Sequence, residues 1–350
     1  MRERGISILE NKGKNDGCWV LKLEDEDDKV LIRTDGTTTY IAKDIPYAAW
    51  KLGVVDDPFS YYKFTDQWDG SSLWATTIEA NHDQSGHQKF NSADIALTVI
   101  DARQSRLQRI ISKILSQILK EDKRYHHIGY EAVTLSSETA KIFGFDIGDK
   151  KFMHMSGRKG IYVNADYVLD LLHAKAYDEA KKRNPDLSLQ SLNEIAEEIA
   201  VSAIRYNLIK QDLDKLITFD AKESLSLEGD TGPYLQYAYA RSQRILEKAP
   251  QSSFQAEYDL LSGEQELDLV KAISKFDIVL EESARMLDPK LIARYAYRLA
   301  TAFNLFYEKV PVLKENDKEI MYSRLALVKA FGVSIKNVLN MIGVTPLNKM

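Results

Sequence analysis

Residues 95–105 read Ile95-Ala96-Leu97-Thr98-Val99-Ile100-Asp101-Ala102-Arg103-Gln104-Ser105, and this stretch decides the fold. The near-continuous apolar run that stops at Asp101 predicts a strand buried on both faces of a parallel sheet. Immediately after it, Leu107, Ile110, Ile111, Ile114, Leu115 and Ile118 recur at helical spacing, with Arg106, Arg109, Lys113 and Lys120 around the rest of the cylinder. A strand feeding an amphipathic helix is half of a βαβ unit, which places ligands beyond the carboxyl ends of its strands.

Towards the carboxyl end, Glu131–Leu135 predicts another strand, followed by the loop His154-Met155-Ser156-Gly157-Arg158-Lys159-Gly160. Its glycines let a backbone approach a ligand, Ser156 offers a hydrogen bond, and Arg158 and Lys159 suit phosphate oxygens. A nucleotide is one reading of this loop and a polar surface turn is the other. Towards the amino end, Val20–Leu23 and Val30–Arg33 flank an acidic turn and predict a hairpin. Thr37–Ile41 is β-branched and aromatic and reads as a strand. Asp44–Leu52 reads as a helix with Pro46 in its first turn. Residues 53–93 read as irregular and aromatic-rich.

From about Ala165 the pattern is helical only. Asp166 is a candidate cap, Asn184-Pro185 a break, and Ser188–Lys210 a second helix. The break Gly229-Asp230-Thr231-Gly232-Pro233 leads into a helix over Tyr234–Glu247, and Ser262–Leu287, Pro289–Tyr307 and Lys318–Met341 have the spacing of a helical bundle. The fold class is therefore α/β followed by all-α, divided at 1–165, a helical connecting segment at 166–225, and 226–350.

The chain has 350 residues, 44% of them hydrophobic, which suffices for two or three cores. A net charge of -5 excludes indiscriminate coating of nucleic acid, so any such contact must be local. One cysteine, Cys18, builds neither an internal disulfide nor a structural zinc site, and no metal is expected. No apolar run reaches the roughly 18 to 20 residues that span a bilayer, and Met1–Arg4 is not followed by the apolar core of a signal peptide. A cytoplasmic location is expected.

Tyr40 and Asp44 are four apart and can face one pocket, with Asp44 meeting a cation; alternatively Asp44 caps a helix. Gln104 stands where a ligand lies beyond a strand, or is simply the first polar residue of the next helix. His82, His87, His126, His127 and His154 show no metal-ligand spacing and read as surface residues. Tyr234, Tyr237 and Tyr239, interleaved with Gln236, Arg241 and Arg244, offer what single-stranded RNA needs: faces for bases and guanidinium for phosphate. Tyrosines at this spacing also suit a core edge.

In order along the chain, Thr34–Ile45, Val99–Ser105, Met155–Gly160, Gly229–Arg241 and Phe303–Tyr307 with the closing Met350 resemble arginyl-tRNA synthetase. The resemblance implies a class I enzyme: the second half of a Rossmann-type catalytic domain, joined to a helical anticodon-binding domain of the DALR type. It implies ATP-dependent adenylation of arginine and transfer to tRNA-Arg, with ATP as substrate and Mg2+ accompanying it. It places Tyr40, Asp44 and Gln104 in the arginine pocket and makes Met155, Ser156, Gly157, Arg158, Lys159 and Gly160 the counterpart of the KMSKS loop. It assigns tRNA contact to Tyr234, Tyr237, Tyr307 and Met350, to which the guanidinium of Arg241 is added as a candidate for phosphate.

Two departures stand out. The loop has His154 and Gly157 where the class signature has lysines, so Arg158 and Lys159 must carry the charge. The sequence also contains no HxGH motif; opposite His87 that spacing meets Gln84. The expectation is a truncated enzyme or one part of a split enzyme, inactive alone, whose missing half a separate polypeptide supplies. The alternative is a noncatalytic tRNA-binding paralogue.

Overall fold

The structure, a computed structural model, describes residues 1, 5–23, 27–79, 90–119, 122–250 and 256–350, with Arg158 described by its backbone alone. It divides into two compact units, Met1–Tyr130 and Glu131–Met350. The divisions expected at 165 and 225 fall inside the second.

In the first unit β1 (Ser7–Leu9), β2 (Trp19–Leu21) and β3 (Lys29–Ile32) form an antiparallel sheet in that order, so the expected hairpin is present with one strand added. The strand expected over Thr37–Ile41 is not formed. Thr38 makes one isolated bridge to Ile32, and the chain turns at once into α1 (Tyr40–Lys51). Ile41 and Ile45, one helical turn apart, bury against Leu21, Leu31, Ile110 and Ile111, and that packing overrides local β preference. Pro46 lies inside α1 rather than in its first turn, so the Ala42 carbonyl lacks its usual helical donor. The stretch expected to be irregular contains an antiparallel hairpin, β4 (Ser60–Asp66) with β5 (Ser72–Thr77). His82, Gln84 and His87 lie outside the described residues.

β6 (Ile95–Asp101) pairs parallel with β7 (Arg124–Tyr130) through a single 3-10 turn, Ala102–Gln104, and α2 (Ser105–Ser116). The βαβ reading holds, but burial on both faces does not: Ile95, Leu97 and Val99 are 53%, 46% and 65% exposed, whereas Ala96 between them is buried. A run of apolar residues cannot by itself distinguish a strand covered twice from one covered once.

The second unit opens with β8 (Val133–Ser136), α3 (Ser137–Ile142) and β9 (Phe152–His154), then α4 (Ala165–Arg183) and α5 (Leu189–Ile209). β10 (Ile217–Phe219) and α6 (Ala221–Ser224) follow, then α7 (Gly232–Glu247), α8 (Glu264–Ser274), α9 (Phe276–Met286), α10 (Lys290–Lys309) and α11 (Lys318–Met341). The helix-only reading from 165 is corrected by β10, which pairs parallel with β8 in the sheet order β10-β8-β9. The cap of α4 is Asn164, whose side chain accepts from the Asp166 amide, and the helix read over 262–287 is two helices meeting at Lys275.

A single apolar core joins α7, α10 and α11, with the rings of Phe303 and Phe331 stacked at 3.9 Å. α7 seats directly on α5: a Cβ on Gly232 would lie 2.3 Å from Ser202 Oγ and 2.4 Å from the Ser202 carbonyl oxygen. Only glycine permits that approach.

Candidate functional site

In the first unit, α1 supplies Tyr40 and Asp44. They sit one turn apart on the same helix rather than across a strand-to-helix junction, and so share a face. Asp44 is not a cap, because Thr39 occupies that position and Asp44 is already the fifth helical residue. Tyr40 is 83% exposed. Asp44 is also exposed, yet its carboxyl is drawn close enough to the protein for lost solvation to lift its pKa above the usual aspartate value. No hydrogen bond or ion pair engages that carboxyl among the described residues. Its charge is felt by Tyr125 of β7, whose hydroxyl accepts from Thr98 Oγ1 at 2.9 Å and donates to Gln108 Oε1 at 2.6 Å.

Gln104 is exposed at the end of the 3-10 turn that follows β6. Asp101 holds that turn, accepting from the Arg103 amide, Nε and Nη2 at 2.8, 2.8 and 2.6 Å. Hydrogen bonding to Arg103 brings the Asp101 carboxyl down to about 2. Gln104 is thus presented to solvent on a clamped turn.

In the second unit the Met155–Gly160 loop leaves β9, which runs antiparallel to β8 with Thr134 opposite His154 and Ser136 opposite Phe152. The loop therefore begins at the amino ends of the parallel pair β8 and β10, not at their carboxyl ends as expected. Strand direction, which residue pattern does not reveal, makes the difference. Ser156 and Ile161 close the loop by reciprocal backbone bonds of 2.6 and 3.1 Å around the single turn Gly157–Lys159, and Gly160 takes a left-handed φ of 68°. Met155 is anchored in the apolar cluster below, while Gly157, Lys159 and Gly160 are exposed.

The helical region brings three of the RNA candidates together and separates the rest. Thr231 caps α7, accepting from the Tyr234 amide at 3.2 Å, with Pro233 at its start. Arg241 lies between two rings, 4.4 Å from the Tyr237 centroid and 4.7 Å from that of Tyr307 on α10. Its Nη1 donates to Asn304 Oδ1 at 2.9 Å and its Nη2 to the Tyr237 hydroxyl at 3.3 Å. This guanidinium is held edge and face while remaining reachable, a geometry suited to stacking and phosphate contact. Asn304, to which the sequence reading gave no role, orients Arg241; its spacing of three from Tyr307 on one helix was the available signal.

Tyr234 instead tilts against the Tyr297 ring at 5.7 Å and donates to Thr301 Oγ1 at 3.4 Å. Tyr239 and Gln236 are buried and present no face to RNA, whereas Arg244 is exposed. Met350 packs in a separate cluster with Ala176, Ala196, Ile199 and Leu225. His126 and His127 are half-buried on β7 rather than on the surface, and His154 is exposed.

Residues 61–220 match the family described as tRNA synthetases class I (R), catalytic domain, and residues 235–350 match the DALR anticodon binding domain. The chain thus joins a class I aminoacyl-tRNA synthetase catalytic domain to a DALR anticodon-binding domain. Among the proteins it resembles are arginine--tRNA ligases. The one from Thermococcus kodakarensis is 36% identical, covering 97% of this chain and 52% of its own length. Those of Pyrococcus abyssi and Deinococcus radiodurans are 37% and 30% identical, again over 97% and 95% of this chain but 53% and 55% of theirs. The solved arginyl-tRNA synthetase of Thermus thermophilus superposes with a TM-score of 0.82 at 28% identity, covering 99% of this chain and 56% of that one. The chain thus spans about half the length of the relatives it matches. Among the described residues, no helix is long and apolar enough to cross a membrane.

Proposed function

We propose that this chain works in arginine–tRNA ligation in the cytoplasm. The observation that carries the reading is Asp44: an accessible carboxylate, unengaged among the described residues and one turn from Tyr40, whose charge suits a guanidinium. Gln104 adds a further polar contact to arginine. Ser156, Arg158 and Lys159, with the backbone of Gly157 and Gly160, receive the phosphates of ATP. That loop offers a hydroxyl, amides and cations but no carboxylate, so Mg2+ belongs with the phosphates of the substrate rather than with this loop. In the reaction a carboxylate oxygen of arginine attacks the α-phosphorus of ATP, the new P–O bond forming as the bond to pyrophosphate breaks. The arginyl group then passes to a ribose hydroxyl of tRNA-Arg and AMP leaves. Fixed donors aimed at developing phosphate charge supply most of such catalysis. Tyr237, Arg241 and Tyr307 take the anticodon-bearing RNA, with Tyr234 and Met350 as flanking contacts.

Because no HxGH motif occurs in the sequence, adenylation needs a polypeptide segment that carries one. The bare apolar face of β6 supports that requirement, since such a face is built to be covered. The test is arginine-dependent pyrophosphate exchange by residues 1–350 alone and mixed with a separate HxGH-bearing first half. Exchange is expected only in the mixture, and Asp44→Ala is expected to abolish it. Exchange unaffected by Asp44→Ala removes the pocket assignment. The second reading, a noncatalytic tRNA-binding paralogue, is favoured by the completeness of the Arg241 cluster beside an incomplete adenylation motif. Silence of every mixture with tRNA binding retained would establish it.

A further inference from the structure

The segment Ile342–Met350 forms no helix or strand of its own, yet it is fastened at successive points. Ile342 and Val344 are buried in the helical core. Arg205 of α5 donates from Nη1 to the Gly343 carbonyl at 2.6 Å. Gly343 has a left-handed φ of 68°, which favours glycine, and a Cβ there would lie 2.5 Å from that same Nη1. Gln236, fully buried in α7, donates from Nε2 to the carbonyls of Thr345 at 2.8 Å and Glu198 at 3.3 Å, while its Oε1 finds no partner among the described residues. Beyond Thr345, Leu347 and Met350 rest on Ala176, Ala196, Ile199 and Leu225, and Met350 lines a cavity of about 530 Å³ at the edge of α4.

A buried amide oxygen without a partner costs stability. What position 236 contributes in return is the nitrogen of that amide, which ties two main-chain carbonyls together. We propose that Gln236 and Arg205 are positioning residues: they strap Gly343–Met350 across α5 and thereby set where Met350 stands for RNA. This rests on the reading of Met350 as an RNA contact. Gln236 serves RNA binding from the inside, by tying α7, α5 and the strap through two main-chain carbonyls. It does so although it lies on the same helix as Tyr237 and Arg241.

The experiment uses residues 1–350 and a tRNA-Arg transcript, with two readouts: titration of tRNA affinity and hydrogen exchange of the amides of 343–350. Deleting 345–350 is expected to weaken tRNA binding about tenfold, the scale set by one or two lost polar or packing contacts. Gln236→Leu is expected to weaken it about fivefold and to speed exchange in the strap. Arg205→Ala should act in the same direction and Arg205→Lys should recover part of the loss. In the deleted background Gln236→Leu should add nothing. If the deletion weakens binding but Gln236→Leu changes neither readout, or if Gln236→Leu still weakens binding after the deletion, the positioning role is overturned. If the deletion itself leaves tRNA affinity unchanged, the role of Met350 fails and the proposal fails with it.

Discussion

The two units bury apolar surface differently. In Glu131–Met350 the side chains close on one another: Leu299, Phe303, Phe306, Phe331 and Ile335 are wholly buried in one cluster shared by three long helices. In Met1–Tyr130 the sheets have two or three strands each, and the β6 face that presents Ile95, Leu97 and Val99 remains open. Helices can complete a core by adding neighbours in sequence, whereas a parallel sheet needs cover on both faces. The helical region thus closes its own core, whereas in the first unit Ile95, Leu97 and Val99 stay exposed.

The comparison can be broken at its strongest point by Phe303→Ala, which removes one of a stacked pair of rings. It is expected to cost about 4 kcal/mol of the second unit's stability, read from denaturant melts followed by probes in that unit. Asp44 offers the next effect. Because burial raises its carboxyl pKa, the ionised form that binds arginine is present well above that value and is lost as pH falls through it, at a higher pH than for an ordinary aspartate. Arginine affinity in the reconstituted mixture should therefore fall in mild acid by about tenfold to a hundredfold, the range of a charge-assisted pair. A flat profile contradicts a carboxylate–guanidinium contact. Arg241→Lys keeps the charge but loses the fork and both stacked faces, and should weaken tRNA binding by about 1 kcal/mol in a titration at fixed salt. Smallest of all, Leu97→Ser on the open face of β6 should change the stability of residues 1–350 by no more than about 0.5 kcal/mol while impairing complementation by the HxGH-bearing half. A large loss of stability there means the face is already covered.

Much of this was legible where a local rule and the global packing agree. The passage from Ile95 to Ile118 shows its strand and its helix because period and burial coincide on α2. Thr37–Ile41 misled because β-branched residues advertise a strand, while the deciding contact, Ile41 and Ile45 against Ile110 and Ile111, lies some seventy residues away in sequence. The same applies to β10, whose three residues are a strand only because β8 accepts them. At the candidate site, spacing showed that Tyr40 and Asp44 share a face, now one turn apart on α1, and that Gln104 stands just beyond β6. Gln236 was misread as an RNA-facing polar residue, because a buried amide and an exposed one look alike in sequence. Asn304 was not noticed, since its role appears only when α7 brings Arg241 beside it.

The seat of Gly232 on Ser202 has a consequence for leverage. Arg241 stands nine residues further along the same helix, roughly 13 Å from that seat at the rise of an α-helix. A methyl group at residue 232 would lift the near end of a stiff rod whose far end carries the guanidinium, so a fraction of an ångström at the fulcrum becomes a change of aim at the tip. A residue with no side chain thus helps to set the direction in which Arg241 points, alongside the Asn304, Tyr237 and Tyr307 contacts that hold it directly.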